Sequence, residues 1–207
     1  MALLFAKNNS LSAVTALPAS VSGGGFNLIS TQTASSSSTI DFTSGIDSTY
    51  KEYIFKFYNI HPSANSQLQF NLSIDGGSNY NVTKTSTFFQ SFHEEVEPTD
   101  IYGITGGGLQ YDTSEDLAQS TSNKEISYFI GTDNDQSCSG TLTLYNPSSA
   151  TFVKHFISRI NNYWYADASM DTFTAGYGNT TSAINAVRFQ MSSGNIDSGI
   201  IKLYGVT

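Results

Sequence analysis

Residues 68–75, LQFNLSID, alternate without a fault: Leu68, Phe70, Leu72 and Ile74 point one way, and Gln69, Asn71, Ser73 and Asp75 the other. A period of two marks a strand with one face in a core. The turn residues Asp75-Gly76-Gly77-Ser78-Asn79 follow at once, and Asp-Gly is a strong hairpin signal. Upstream, FNLIST and TIDFT read as short strands on either side of a solvated ASSSST loop. YKEYIFKFYNI (50–60) is apolar on both faces and predicts a central strand buried on each side. Further strands are predicted in EISYFIG, GTLTLYNP, FVKHFISRIN, YWYAD and DTFTAGY. In STFFQSFHEEVEP the period changes, because Phe88, Phe92 and Val96 fall at helical spacing before Pro98, which predicts one short helix or an irregular crossing over 86–96. The glycine triplet 106–108 and the acidic stretch 112–116 read as a long surface loop.

The last 25 residues repeat the strand pattern twice. Val187, Phe189 and Met191 share one face, with Arg188, Gln190 and Ser192 on the other. After turn residues Ser193-Gly194 and Asp197-Ser198-Gly199, Ile201, Leu203 and Gly205 oppose Ile200, Lys202, Tyr204 and Val206. This predicts a closing hairpin whose end is paired inside a sheet. With turn signals every 8–14 residues and no recurrent amphipathic helices, the chain is expected to be all-β. The expected architecture is an antiparallel jelly-roll-like β-sandwich of about ten strands with at most one short helix.

Two segments are expected: an extended N-terminal arm over 1–25, ending in Gly23-Gly24-Gly25, and a single sandwich domain over 26–207. The arm does not read as a signal peptide, since no positive charge precedes its apolar part and Asn8, Asn9 and Ser10 interrupt it. Its apolar residues Leu3, Leu4, Phe5, Leu11, Val14 and Leu17 suit anchoring on a neighbouring subunit, at about 1.5 to 3 kcal/mol for each large side chain fully buried.

Charged residues are 13% of the chain, against roughly 25% in ordinary globular proteins. Hydroxyls and amides take their place, which suits packed assemblies or sugar-facing surfaces. The net charge is −8 and the basic residues are scattered singly, so no nucleic-acid partner is expected. No apolar run reaches the length of about 18 residues that a membrane-spanning helix needs. A lone cysteine, Cys138, excludes an intrachain disulfide and suits a protein made inside the cell.

Candidate chemistry is sparse. His61, His93 and His155 lack metal-ligand spacing, and His93-Glu94-Glu95 with Glu97 is the one cluster that joins histidine to carboxylates. Asp133-Asn134-Asp135 begins like a calcium loop but lacks its glycine and closing glutamate. No nucleophile elbow or P-loop is present. No catalytic residue, cofactor or metal site is therefore expected. The sharper possibility is Tyr163, Trp164 and Tyr165 with Tyr177, whose rings suit stacking on sugars beside the amides of Asn161, Asn162 and Asn179, or packing in a core or subunit interface.

The closing stretch resembles the end of small β-sandwich virion structural proteins of tailed bacteriophages, especially marine ones. The residues that carry the resemblance are Val187, Phe189, Ser193, Gly194, Ile196, Gly199, Leu203, Tyr204, Gly205 and Val206. GIDSTYKEYIFKFYNI (45–60) and LQFNLSIDGGSNYN (68–81) are similar to upstream parts of the same proteins. The resemblance implies a non-enzymatic assembly protein of the virion, made in the bacterial cytoplasm. Head decoration, cement or head fibre is its leading use, with docking through the arm onto capsid or tail proteins and other copies of itself in a homo-oligomer such as a trimer. The alternative is a tail or tail-fibre component that binds a host-surface glycan. A third reading, an extracellular hydrolase, requires two loop carboxylates converging in a cleft.

Overall fold

A computed structural model of the chain describes residues 25–95 and 106–207. The arm anchors Leu3, Leu4, Phe5, Leu11, Val14 and Leu17, together with Val96 and Pro98, lie outside the described residues. The described chain forms twelve strands: β1 (Phe26–Thr33), β2 (Ile40–Phe42), β3 (Glu52–Pro62), β4 (Leu68–Ser73), β5 (Lys84–Glu94), β6 (Gly107–Tyr111), β7 (Lys124–Glu125), β8 (Cys138–Tyr145), β9 (Lys154–Trp164), β10 (Ala168–Gly178), β11 (Ala186–Met191) and β12 (Ile196–Val206). They make an eight-stranded sheet in the order β1-β12-β3-β8-β9-β10-β5-β6 and a four-stranded sheet in the order β2-β11-β4-β7. All pairings within them are antiparallel.

Setting aside β5, β6, β9 and β10 leaves eight strands whose pairing is that of a long ribbon rolled up. The first pairs with the eighth (β1, β12), the second with the seventh (β2, β11), the third with the sixth (β3, β8) and the fourth with the fifth (β4, β7). β12 then pairs with β3, and β11 with β4, which closes the roll. This is the jelly-roll arrangement. The other four strands arise from two insertions and extend the larger sheet as β9-β10-β5-β6, hereafter the extension.

The body core lies between the two sheets and is aromatic. Phe189 of β11 meets the rings of Phe55 and Phe57 of β3 edge to face at 5.1 Å each, and Phe42 at 6.1 Å. Leu68, Phe70, Leu72, Val187, Ile201 and Leu203 join them, as the alternation predicts. Gly205 leaves room for Tyr50, whose ring an added Cβ would strike.

Several expectations are corrected. The closing strands are no hairpin: β11 lies in the small sheet and β12 in the large one, because a face pattern says which side is buried and not which strand is the partner. The Asp75–Asn79 turn likewise carries the chain from the small sheet to the large one. Ile74, past the end of β4, is 42% exposed. β3 is central in its sheet, but Tyr58 on its outer side is 41% exposed. EISYFIG contributes only Glu125 to the two-residue β7, and an isolated bridge from Ile130 to Ser66.

No helix forms over the described part of 86–96; that stretch belongs to strand β5. A separation of four residues satisfies the strand period as well as the helical one, so Phe88 and Phe92 share an inward face in either conformation. The other inward positions, Lys84, Ser86, Gln90 and Glu94, are polar, which hid the alternation. Residues 107–111 of the expected loop form β6 against β5.

Candidate functional site

The extension reverses the usual sense of a sandwich sheet. Toward the interior it turns the polar residues Lys84, Ser86, Gln90, Lys154, Ser158, Asn162, Thr172 and Thr174, all buried, interleaved with Phe88, Phe156 and Ile160 and with a small apolar cluster of Phe92, Trp164, Ala168 and Met170. Large apolar residues stand on its outer face, which no other strand of the described chain covers. The register lines up Tyr111, Phe89, Phe173 and Arg159 across β6, β5, β10 and β9. Phe89 and Phe173 stack with centroids 4.8 Å apart and planes 2° from parallel. Arg159 lies 4.8 Å over the Phe173 ring and is held there by Asp171, at 2.7 Å from Nη2 to Oδ2. The Asp171 carboxylate raises the Arg159 pKa, so the guanidinium stays charged over the ring.

Exposed Leu109 and Ile157 flank this lane, at 70% and 53% exposure. Beside Ile157 lies a shallow apolar depression of about 460 Å³ between Thr85, Thr87, His155, Ala175 and Tyr177. An apolar strip with a fixed cation and carboxylate at its centre offers stacking, packing and one directional polar contact. Surfaces of this make-up serve binding.

The aromatic residues singled out in the sequence do not converge. Tyr163 stands on the outer face opposite Ser169, and Tyr177 stands on it opposite His155, with their rings T-shaped at 6.2 Å. Eight residues of β10 separate these two positions, roughly 26 Å at strand rise. Trp164 turns inward and is 6% exposed. Tyr165 lies in the β9–β10 turn, 48% exposed, with its ring against Phe129 and Trp164. The neighbouring amides are engaged internally: Asn161 donates to Ser169 Oγ and Met170 O, Asn162 to Phe129 O, and Asn179 to Gln119 Oε1.

Around Tyr163 the surface is acidic. Hydrogen bonding to Glu95 foremost, with the charges of Asp167, which accepts from the Tyr163 hydroxyl at 3.4 Å, and Asp135, pushes the Tyr163 pKa up to about 12. His93 is engaged through Nδ1 with Glu94 O at 2.7 Å. Among the described residues no group of three or more His, Cys, Asp or Glu side chains is placed to hold a metal ion. Cys138 is buried on β8, and burial pushes its thiol pKa up, away from the reactive thiolate. No helix among the described residues is long and apolar enough to cross a membrane.

A second concavity, polar and about 510 Å³ in volume, lies between Asn59, His61, Asp135, Gln136, Asp197 and Ser198. Irregularities in the β3–β12 pairing shape it: Asn59 has φ 48° and Gly199 φ 120°. A side chain at Gly199 would strike Asn59 O and Ile60. His61 Nδ1 is tied to Gln136 O at 2.6 Å, which closes one wall.

Sequence reasoning missed Phe89, Phe173, Leu109, Tyr111, Ile157 and Arg159. The signal was present in DTFTAGY, where Phe173, Ala175 and Tyr177 alternate with Thr172, Thr174 and Gly176, but an apolar face is ordinarily assigned to the core. No protein-family model, curated protein or solved structure matches this chain.

Proposed function

We propose that this chain is a structural subunit of a bacteriophage particle, a head decoration, cement or head-fibre component that docks on neighbouring subunits. The observation that carries the reading is the outer face of the extension. Phe89, Leu109, Tyr111 and Ile157 are exposed together on one sheet face while many of the inward positions behind it are polar. A monomer gains nothing from that distribution, whereas a subunit that covers the face on assembly does. The jelly-roll body and the wording of residues 183–207 support the same reading. The glycan-binding alternative has weaker support, because Trp164 is buried and Asn161, Asn162 and Asn179 bond within the chain.

The test is co-sedimentation with particles of the phage that encodes the chain. Wild-type protein is expected in the particle band of a density gradient, identified there by peptide mass spectrometry. The double variant Phe89→Ser, Phe173→Ser is expected to fold, by circular dichroism, yet remain at the top of the gradient. Absence of the wild-type chain from particles would sink the virion reading. Unchanged incorporation of the folded double variant would remove this face as the docking surface.

A further inference from the structure

Lys84 opens β5 where the extension leaves the jelly-roll body, and its side chain is fully buried. Its Nζ donates to Asn71 Oδ1 at 2.6 Å and to Val82 O at 2.9 Å. Asn71, on β4, is 2% exposed. The Asn71 carboxamide is gripped at both ends. Nδ2 donates to Thr121 O and Asn123 Oδ1 at 3.1 and 3.0 Å, while Oδ1 also accepts from Leu72 N–H at 2.9 Å. Flipping it would set Nδ2 against two donors and Oδ1 against two acceptors, so the oxygen is fixed toward the lysine.

Two further lysines, Lys124 and Lys154, are fully buried, and the contrast is instructive. Lys124 donates to Glu115 O and Lys154 to Phe152 O and Thr180 O. Backbone carbonyls carry no leaving group short of cleaving the chain. Lys84 alone of the three meets a side-chain carboxamide, which does. Lys84 also forms no ion pair among the described residues, and burial pulls its pKa down to about 7, with the Glu125 charge partly offsetting the shift. Near neutral pH a large share of its amine is therefore uncharged and nucleophilic. The amide carbon lies about 1.23 Å from the oxygen that Nζ already touches, so a small swing brings Nζ to attack distance.

We propose that Lys84 and Asn71 form an intramolecular amide crosslink that ties strand β4 of the body to strand β5 of the extension. The Nζ lone pair attacks Asn71 Cγ, and the carbonyl π pair moves onto Oδ1, where Leu72 N–H meets the developing charge. Collapse of this tetrahedral centre restores the carbonyl and breaks Cγ–Nδ2, whose electron pair leaves with nitrogen. The proton lost by Nζ passes to Nδ2, and ammonia departs. One amine and one carboxamide become one secondary amide and ammonia; no oxidant, reductant or cofactor is needed.

The test is intact-mass spectrometry of the full chain, folded for a day near pH 8 and then denatured. The wild type is expected to lack the mass of one ammonia, and its digest to contain a branched peptide joining the segment with Asn71 to the segment with Lys84. Lys84→Arg and Asn71→Ala are each expected to restore the full sequence mass. A wild-type chain of full sequence mass overturns the crosslink without reference to any variant. So does an ammonia loss that persists in Lys84→Arg, which would mark cyclisation of an asparagine on its own backbone.

Discussion

The jelly-roll body and the four-stranded extension share one sheet but are held by different forces. In the body, inward positions are aromatic and aliphatic, and Phe42, Phe55, Phe57 and Phe189 interlock edge to face. Its stability follows from apolar surface removed from water. In the extension, many inward positions are polar, and some of them find no partner among the described residues: Gln90 Nε2 and Oε1, Thr172 Oγ1 and both Glu94 carboxylate oxygens are buried without hydrogen bonds. Backbone ladders of eleven pairs on each side of β10 hold the strands together. The difference teaches that the body buries its apolar surface, whereas the extension turns part of its own outward. Regions with few apolar contacts open first, so covering the outer face should stabilise the extension more than the body.

The sharpest way to break this comparison is to cut the body where it is densest. Phe189→Ala removes the ring at the centre of the cluster and should cost about 3 to 5 kcal/mol, read from the urea midpoint of the whole chain. A loss below about 1 kcal/mol would mean that the body core is not the main source of stability. The inner face of the extension should respond in the opposite sense. Gln90→Leu and Thr172→Val exchange unpartnered polar atoms for apolar ones, and each should raise stability by about 1 kcal/mol. A comparable loss would show that these groups are satisfied in solution and that the extension is not strained in this way.

How far the sequence revealed these regions follows from the same contrast. Strands β4, β11 and β12 were legible because Leu68, Phe70, Leu72, Val187, Phe189, Ile201 and Leu203 carry both the period and the burial. β5 was not, since its inward set alternates Lys84, Ser86, Gln90 and Glu94 with only two phenylalanines, and those two also fit a helix. The partition of β11 and β12 between sheets was beyond reach for another reason: two successive amphipathic strands can pair with each other or with distant strands, and local pattern does not decide. The outer aromatic lane was visible as alternation but carried the wrong sign. Phe173 and Ala175 look like core until the register places Thr172 and Thr174 inside.

A smaller effect tests the body sheet away from its core. Arg188 of β11 grips Asp41 of β2 through two bonds, Nε to Oδ1 at 2.8 Å and Nη2 to Oδ2 at 2.7 Å, and lies over the Tyr80 ring. Both partners are partly exposed, so Asp41→Asn should cost only about 0.5 to 1 kcal/mol. The cost should shrink in high salt. A loss several times larger would show that short β2, paired on one side only, depends on charge rather than on Ile40 and Phe42.

The smallest expected effect lies at the seam, in the turn that delivers the chain from body to extension. Asp75 accepts from Asn79 Nδ2 at 2.7 Å, Asn79 N–H at 2.9 Å and Ser73 Oγ at 2.7 Å, and these bonds, the Asn79 side chain foremost, hold its pKa down to about 2 from 3.8. A carboxylate depressed in the folded state binds its proton more readily when unfolded. Its contribution is therefore complete above the unfolded value of about 3.8 and is lost as pH falls through about 2. Asp75→Asn should lower the unfolding midpoint slightly at pH 6, and the difference from wild type should close as pH is lowered across that window. Because the side chain is exposed, a difference that stayed constant down to pH 2 would assign the effect to turn geometry, with Gly76 and Gly77 at φ 72° and 90° carrying the chain between sheets whatever the charge. A closing difference would instead show that the body is joined to the extension by a turn whose hold depends on ionisation, in contrast to the uncharged ring packing that holds the body itself.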